Sequence, residues 1–165
     1  MIEKEIQRGR IRKVGFSAHS QTQAIRAISM YDFDTMMFPT NWQMIMRDGW
    51  STEAIKTAKK HGMGVIAIKG LIHRSWINEE ERKTYPKAWC KPIDVSNVPF
   101  GIAALKYTFK SGADVIIPPG DFRDFAFCVD HIDEILGSPL SGSEQALLDR
   151  EFLAVKDHPF FDPRT

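Results

Sequence analysis

The sequence predicts an α/β fold built on parallel strands. Three observations carry this expectation. Strand-like and helix-like stretches alternate through four units, the order produced by right-handed crossovers between parallel strands. Val65 to Ile68 is a continuous apolar run, as expected of a parallel strand covered on both faces. Capping pairs stand where helices should open, Ser20 with Gln23 and Ser141 with Glu144.

The elements follow in order. Ile2 to Ile6 mixes charged and apolar residues and reads as the tail of an amphipathic helix. Ile11 to Phe16 is a short strand. Gln21 to Met30 is a helix whose Ala24, Ile25, Ala27 and Ile28 form an apolar face at helical spacing. Asp34 to Phe38 is the second strand, closed by Pro39, which brings no N–H to a ladder. Thr40 to Trp50 reads as a long loop. Thr52 to His61 is a helix, with Ser51 as N-cap and Gly62 as its stop. Val65 to Ile68 is the third strand. Gly70 to Val95 is the longest irregular region and holds Trp76, Pro86, Trp89 and Pro92. Loops this long usually serve a site or move. Val98 to Lys110 is a helix with Pro99 in its first turn and Gly112 after its end. Val115 to Ile117 is the fourth strand, ending at Pro118-Pro119-Gly120. Helices from Phe122 to Leu136 and from Ser141 to Lys156 complete the chain. Four such units make either half of a (β/α)8 barrel or a small doubly wound sheet, and periodicity does not separate the two. No G-x-G-x-x-G follows the first strand, so a Rossmann nucleotide site has no support.

The length of 165 residues suits one domain spanning residues 1–165 and falls short of the roughly 250 of a complete barrel. With 43% hydrophobic and 26% charged residues the chain is of the soluble globular class. A net charge of +1 gives no reason to expect nucleic acid or an anionic membrane as partner. Cys90 and Cys128 form no C-x-x-C pattern and are expected to be thiols in a reducing, cytoplasmic setting. No metal-ligand spacing links the histidines. No apolar run approaches membrane-spanning length.

Three stretches carry a resemblance to a known family. The first is Gly9-Arg10-Ile11-Arg12-Lys13-Val14-Gly15-Phe16-Ser17-Ala18-His19. The second is Ala58-Lys59-Lys60-His61-Gly62-Met63-Gly64-Val65-Ile66-Ala67-Ile68-Lys69-Gly70-Leu71. The third joins Ala104-Leu105-Lys106-Tyr107 to Val115-Ile116-Ile117-Pro118-Pro119-Gly120. In this order they resemble strands five, seven and eight of aldo-keto reductases. The similarity runs from about Gly9 to Phe161 and implies the second half of a TIM-type barrel.

That resemblance implies a bound NADP(H) at the carboxyl ends of the strands. Ser17 matches the serine that contacts the nicotinamide carboxamide. Lys69, Gly70 and Leu71 match the backbone beside the pyrophosphate. Gly120 and Arg123 match the loop around the adenosine 2′-phosphate. Several positions depart from the family. Ala18 stands for an asparagine, Met37 for a glutamine and Ile68 for a stacking aromatic, while Ala126 and Asp130 stand for an arginine and an asparagine. The family's catalytic aspartate, tyrosine, lysine and histidine belong to strands this chain does not match, so no catalytic residue is assigned. From the residues alone, Lys69 also reads as a solvated or ion-paired lysine, and Arg123 as a surface arginine beside a turn glycine. The Phe160-Phe161 tail reads as packing. Two functions stay open: the cofactor-binding half of a carbonyl reductase, or a non-catalytic half-barrel module or truncated remnant. The expected partner is a second copy, as a homodimer, or a missing N-terminal half-barrel.

Overall fold

The computed structural model describes residues 2–160. Phe161 of the aromatic tail lies outside them. The first helix, α1, spans Ile2–Gln7. Two repeats of strand and helix follow, β1 Gly15–Ser17 with α2 Gln21–Met30 and β2 Thr35–Pro39 with α3 Trp42–Asp48 and α4 Thr52–Lys60, and then β3 Gly64–Ile68. A small insertion then carries β4 Ile72–Arg74, α5 Glu79–Arg82 and β5 Lys91–Pro92. α6 Val98–Lys110 returns the chain to β6 Val115–Ile117, and α7 Phe122–Asp130, α8 Ile132–Gly137 and α9 Gly142–Val155 complete the fold. The main sheet has four strands in the order β1-β2-β3-β6, all parallel. Sequential order with helices between parallel neighbours is the arrangement of half a (β/α)8 barrel.

The sheet is fastened at its amino end by a device used twice. Asp34, just ahead of β2, accepts a hydrogen bond from the Val14 N–H at 2.7 Å and one from Lys13 Nζ at 2.7 Å. Asp114, just ahead of β6, accepts one from the Val65 N–H at 2.7 Å and pairs with Lys59. Each aspartate ties its own strand to the preceding one.

Several elements differ from expectation. β1 is shorter than Ile11–Phe16, because at the edge of the sheet it pairs only where β2 begins, Gly15 opposite Thr35. The segment Thr40–Trp50 holds a helix, α3. Asn41 caps it by accepting from the Met44 N–H at 3.0 Å, and Gly49 closes it at φ 66°, a left-handed turn that glycine accepts without strain. The region Gly70–Val95 is more ordered than a loop. β4 and β5 pair antiparallel, and Glu81 holds Arg74 through two contacts of 2.8 and 2.5 Å and Lys91 through one of 2.5 Å. The helix expected from Phe122 to Leu136 breaks at His131, whose ψ of 14° departs from helix geometry.

Two packed cores lie on the helical side. One joins Met36, Phe38 and Val65 to Ala24 and Ile28 of α2 and to Ile55 and Ala58 of α4. The other gathers Trp42, Leu71, Phe100, Leu105, Phe127 and Leu148 around α6. The opposite face of the sheet is not sealed. Met37, Ile66 and Ile68 are partly exposed, and Val115 and Ile117 are exposed. The apolar run Val65–Ile68 therefore sits beneath helices on one face only, and its other face is the inner wall of a barrel that these four strands leave open.

Candidate functional site

The residues singled out in the sequence gather at the carboxyl end of the sheet, in two clusters. The first spans β1 and β3. Ser17 ends β1 and is exposed. Lys69 follows β3 with φ 72°, a left-handed backbone that is uncommon outside glycine and tends to mark functional positions. This conformation is held from three directions. The Lys69 N–H donates to the Ile117 carbonyl at 3.0 Å, and the Lys69 carbonyl accepts from the Ile72 N–H at 3.2 Å and from Asn41 Nδ2 at 3.3 Å. Its side chain turns back across β2, so that Nζ lies 3.4 Å from His19 Nε2 and 4.8 Å from the centre of the Phe160 ring. Burial lowers the Lys69 pKa, and burial followed by the Lys69 charge lowers that of His19. Nearby Cys90 is buried and its thiol is pushed up to about 12 by that burial. It is no nucleophile at neutral pH.

Gly70 and Leu71 connect this cluster to the core. Gly70 is buried with its N–H directed at the Ile117 carbonyl, 3.3 Å away. A Cβ there would stand 2.1 Å from Ile116 Cγ2, so glycine is required by close packing against β6. The Leu71 side chain is fully buried, and its carbonyl accepts from the Ile93 N–H at 2.8 Å.

The second cluster follows β6. Gly120 and Asp121 lead into α7, and Asp121 is the N-cap, accepting from the Arg123 N–H at 2.9 Å. The Arg123 guanidinium grips the same carboxylate, Nε to Oδ1 at 2.9 Å and Nη2 to Oδ2 at 2.8 Å. It also donates to the Thr84 carbonyl at 3.3 Å and lies 4.2 Å from the centre of the Tyr85 ring. This pairing holds the Asp121 carboxyl down at about 2. The helix N-terminus and its arginine are thus arranged for an anion, and the anion in place is the chain's own carboxylate. Beside this turn lies an open cavity of roughly 650 Å³, lined by Pro86, Lys87, Pro118, Gly120, Phe122 and Phe125 among others.

Sequence reasoning missed three features here. The segment Thr84–Lys87 folds onto the Gly120–Arg123 turn, an arrangement that no local pattern encodes. Asp121 occupies Arg123, and an aspartate just before a helix was the available signal. Asp124, one turn into α7, is fully buried with neither carboxylate oxygen hydrogen-bonded. Burial first, and the Asp121 charge second, raise its pKa to about 7. Trp89 of the long insertion is 90% exposed, whereas the indole N–H of Trp76 is buried without a partner, its ring 6.3 Å from that of Tyr85. Among the described residues no group of three His, Cys, Asp or Glu side chains is placed to hold a metal ion. No described helix is long and apolar enough to cross a membrane.

No family model matches the sequence, and no curated protein matches it. The fold is similar to that of a solved thermostable aldo-keto reductase, crystallised with the inhibitor epalrestat. The TM-score is 0.54, with 18% identity, and the match covers 91% of this chain and 52% of the reductase. The chain therefore spans about half the length of that protein and has the fold of part of an aldo-keto reductase barrel.

Proposed function

We propose that this chain provides the NADP(H)-binding half of a carbonyl-reducing aldo-keto oxidoreductase of the cytoplasm. The observation that carries the reading is the strained Lys69 at the carboxyl end of β3. Its ammonium meets His19 beyond β1, at the end of the sheet where barrels of this type place their chemistry. Ser17, Lys69 and the Gly70–Leu71 backbone would hold the nicotinamide and pyrophosphate end. That end fits in part: Ser17 is exposed, but the Gly70 N–H and Leu71 carbonyl already have partners. The Gly120–Arg123 turn fits a 2′-phosphate only if phosphate oxygens displace the Asp121 carboxylate from Arg123. Binding is accordingly weak. NADP(H), when bound, supplies the hydride. The residues of this chain bind and orient; the general acid, typically worth about 10²–10⁴-fold in rate, belongs to strands this chain does not match. The free edges of the sheet are covered by a partner, either a second copy or an N-terminal half-barrel. A non-catalytic half-barrel module is the competing function.

Titration of the chain with NADPH, followed by tryptophan fluorescence, tests this reading. The expected dissociation constant is weaker than micromolar, less than about 8 kcal/mol of binding, and Arg123→Ala weakens it further. No NADPH oxidation is expected with aldehydes or ketones for this chain alone. Absence of any NADP(H) binding would favour the non-catalytic module. Micromolar binding indifferent to Arg123→Ala would refute the phosphate site.

A further inference from the structure

We infer that the partner is a second copy of this chain. The β1 edge of each copy meets the β6–α7–α8 edge of the other, and two four-stranded halves close one eight-stranded barrel. The inference concerns the partner left open above and does not depend on the cofactor.

Both edges are built for pairing. Val14 and Ala18 bond to β2, through the Asp34 N–H at 2.7 Å and the Met37 carbonyl at 3.1 Å. The alternation of a parallel ladder then turns the N–H and C=O of Gly15 and Ser17 outward. On β6 the Ile117 carbonyl accepts from the Lys69 N–H at 3.0 Å, which turns Ile117 and Val115 toward β3 and the N–H and C=O of Ile116 outward. Such edges template another strand.

The surface beyond β6 is apolar as well as unpaired. Phe122, Phe125, Val129, Ile132 and Leu136 are all exposed, Phe122 by 80% and Leu136 by 61%. Helical spacing sets Phe122, Phe125 and Val129 along one side of α7, and Ile132 and Leu136 along one side of α8. Ile117 lines the same cavity as Phe122 and Phe125, so exposed apolar surface runs from the β6 edge onto α7, of the kind that marks an interaction site.

Charge selects the occupant. Between Asp124 and Asp149 the sequence has no lysine or arginine, and Asp130, Asp133 and Glu134 are exposed. The lead-in to β1 is the reverse: Arg8, Arg10, Arg12 and Lys13 are all exposed, and although Arg8 and Arg10 share Glu5 and Lys13 pairs with Asp34, positive charge stays in excess. Height matches too. A crossover helix runs back antiparallel to its strand, so Asp130 to Glu134 come down to the amino end of the sheet, where Arg10 to Lys13 also lie. In a barrel the helix after the last strand packs toward the first strand of the next half. A two-fold axis along the barrel therefore brings acidic edge to basic edge twice, with both ladders parallel. Packing the α7–α8 edges of two copies against each other would set Asp130, Asp133 and Glu134 against themselves.

Sedimentation equilibrium of the full chain, with charge-reversed edges, tests the arrangement. One variant carries Arg10→Glu and Arg12→Glu, the other Asp130→Lys and Asp133→Lys; all four sites are exposed. The wild type is expected to dimerise at micromolar concentration. Each variant alone should dissociate at least about tenfold more readily, and an equimolar mixture should regain the dimer, because both mixed interfaces are again opposite in charge. If either variant failed to fold, judged by circular dichroism, weakening of the wild-type dimer with added salt tests the same contacts. A cooperatively melting wild-type monomer overturns the inference and leaves the edges to an N-terminal half-barrel. A dimer indifferent to both variants and to salt, or a mixture no tighter than its parts, overturns it as well. Failed NADPH binding leaves it standing.

Discussion

On one face of the sheet Met36, Phe38, Val65 and Ala67 are buried beneath helices, while on the other Met37, Ile66 and Ile68 stay partly exposed. The two sets alternate along the same strands and are alike in composition. What separates them is the presence of a covering layer: α2 and α4 supply it on one side, and nothing among the described residues seals the other. Strand hydrophobicity thus does not by itself tell the covered face from the open one.

The contrast can be broken from either side. Phe38→Ala should have the largest effect. The ring is fully buried and stacks on Trp50 at 5.8 Å, and its removal is expected to cost about 3–5 kcal/mol in urea denaturation. A smaller, pH-dependent effect is expected from Asp124→Asn, which probes a flaw on the sealed side. The folded-state pKa of Asp124 is raised from 3.8 to about 7. Its destabilisation is therefore absent at low pH, where the group is protonated folded or unfolded. It builds as pH rises from the ordinary carboxylate value through about 7 and is complete above that. The variant should gain on the order of 2 kcal/mol at pH 8 and almost nothing at pH 4. Melts at the two pH values measure it, and an equal shift at both would refute the account. The smallest effect is expected at Ile66→Ala on the open face, under about 1 kcal/mol at dilute protein, because part of the side chain is already in water. The cost should grow with protein concentration if the face becomes covered. A loss as large as that of Phe38→Ala at all concentrations would erase the distinction between the faces.

The order of elements was legible because each announces itself locally. Val115–Ile117 is a strand just as read, and the Ser141 capping box opens α9 as its spacing foretells. The helix α3 escaped notice although Asn41 and Gly49 both signal its ends, since Trp42 and Met44 are buried in a short helix whose pattern is too brief to show a period. The insertion between β3 and α6 was opaque for a different reason. Arg74, Glu81 and Lys91 are far apart in sequence and meet only in space. The same holds for the site. Lys69 and Arg123 could be singled out along the chain, but His19 facing Lys69 and Tyr85 beneath Arg123 are products of the crossover connections.

The paired aspartates at the foot of the sheet bear on how such a molecule comes to exist. Asp34 reaches back to the Val14 amide and Asp114 to the Val65 amide, each also held by a lysine from an earlier unit, Lys13 ahead of β1 and Lys59 at the end of α4. A βα unit that carries its own clip to the unit before it needs no global template to find its place. Chains assembled from such units can lengthen by duplication or be divided between units, and each piece keeps the means of docking to what precedes it. Modularity of this kind makes a barrel separable along its ladders, and it gives a half the local rules for rejoining a whole.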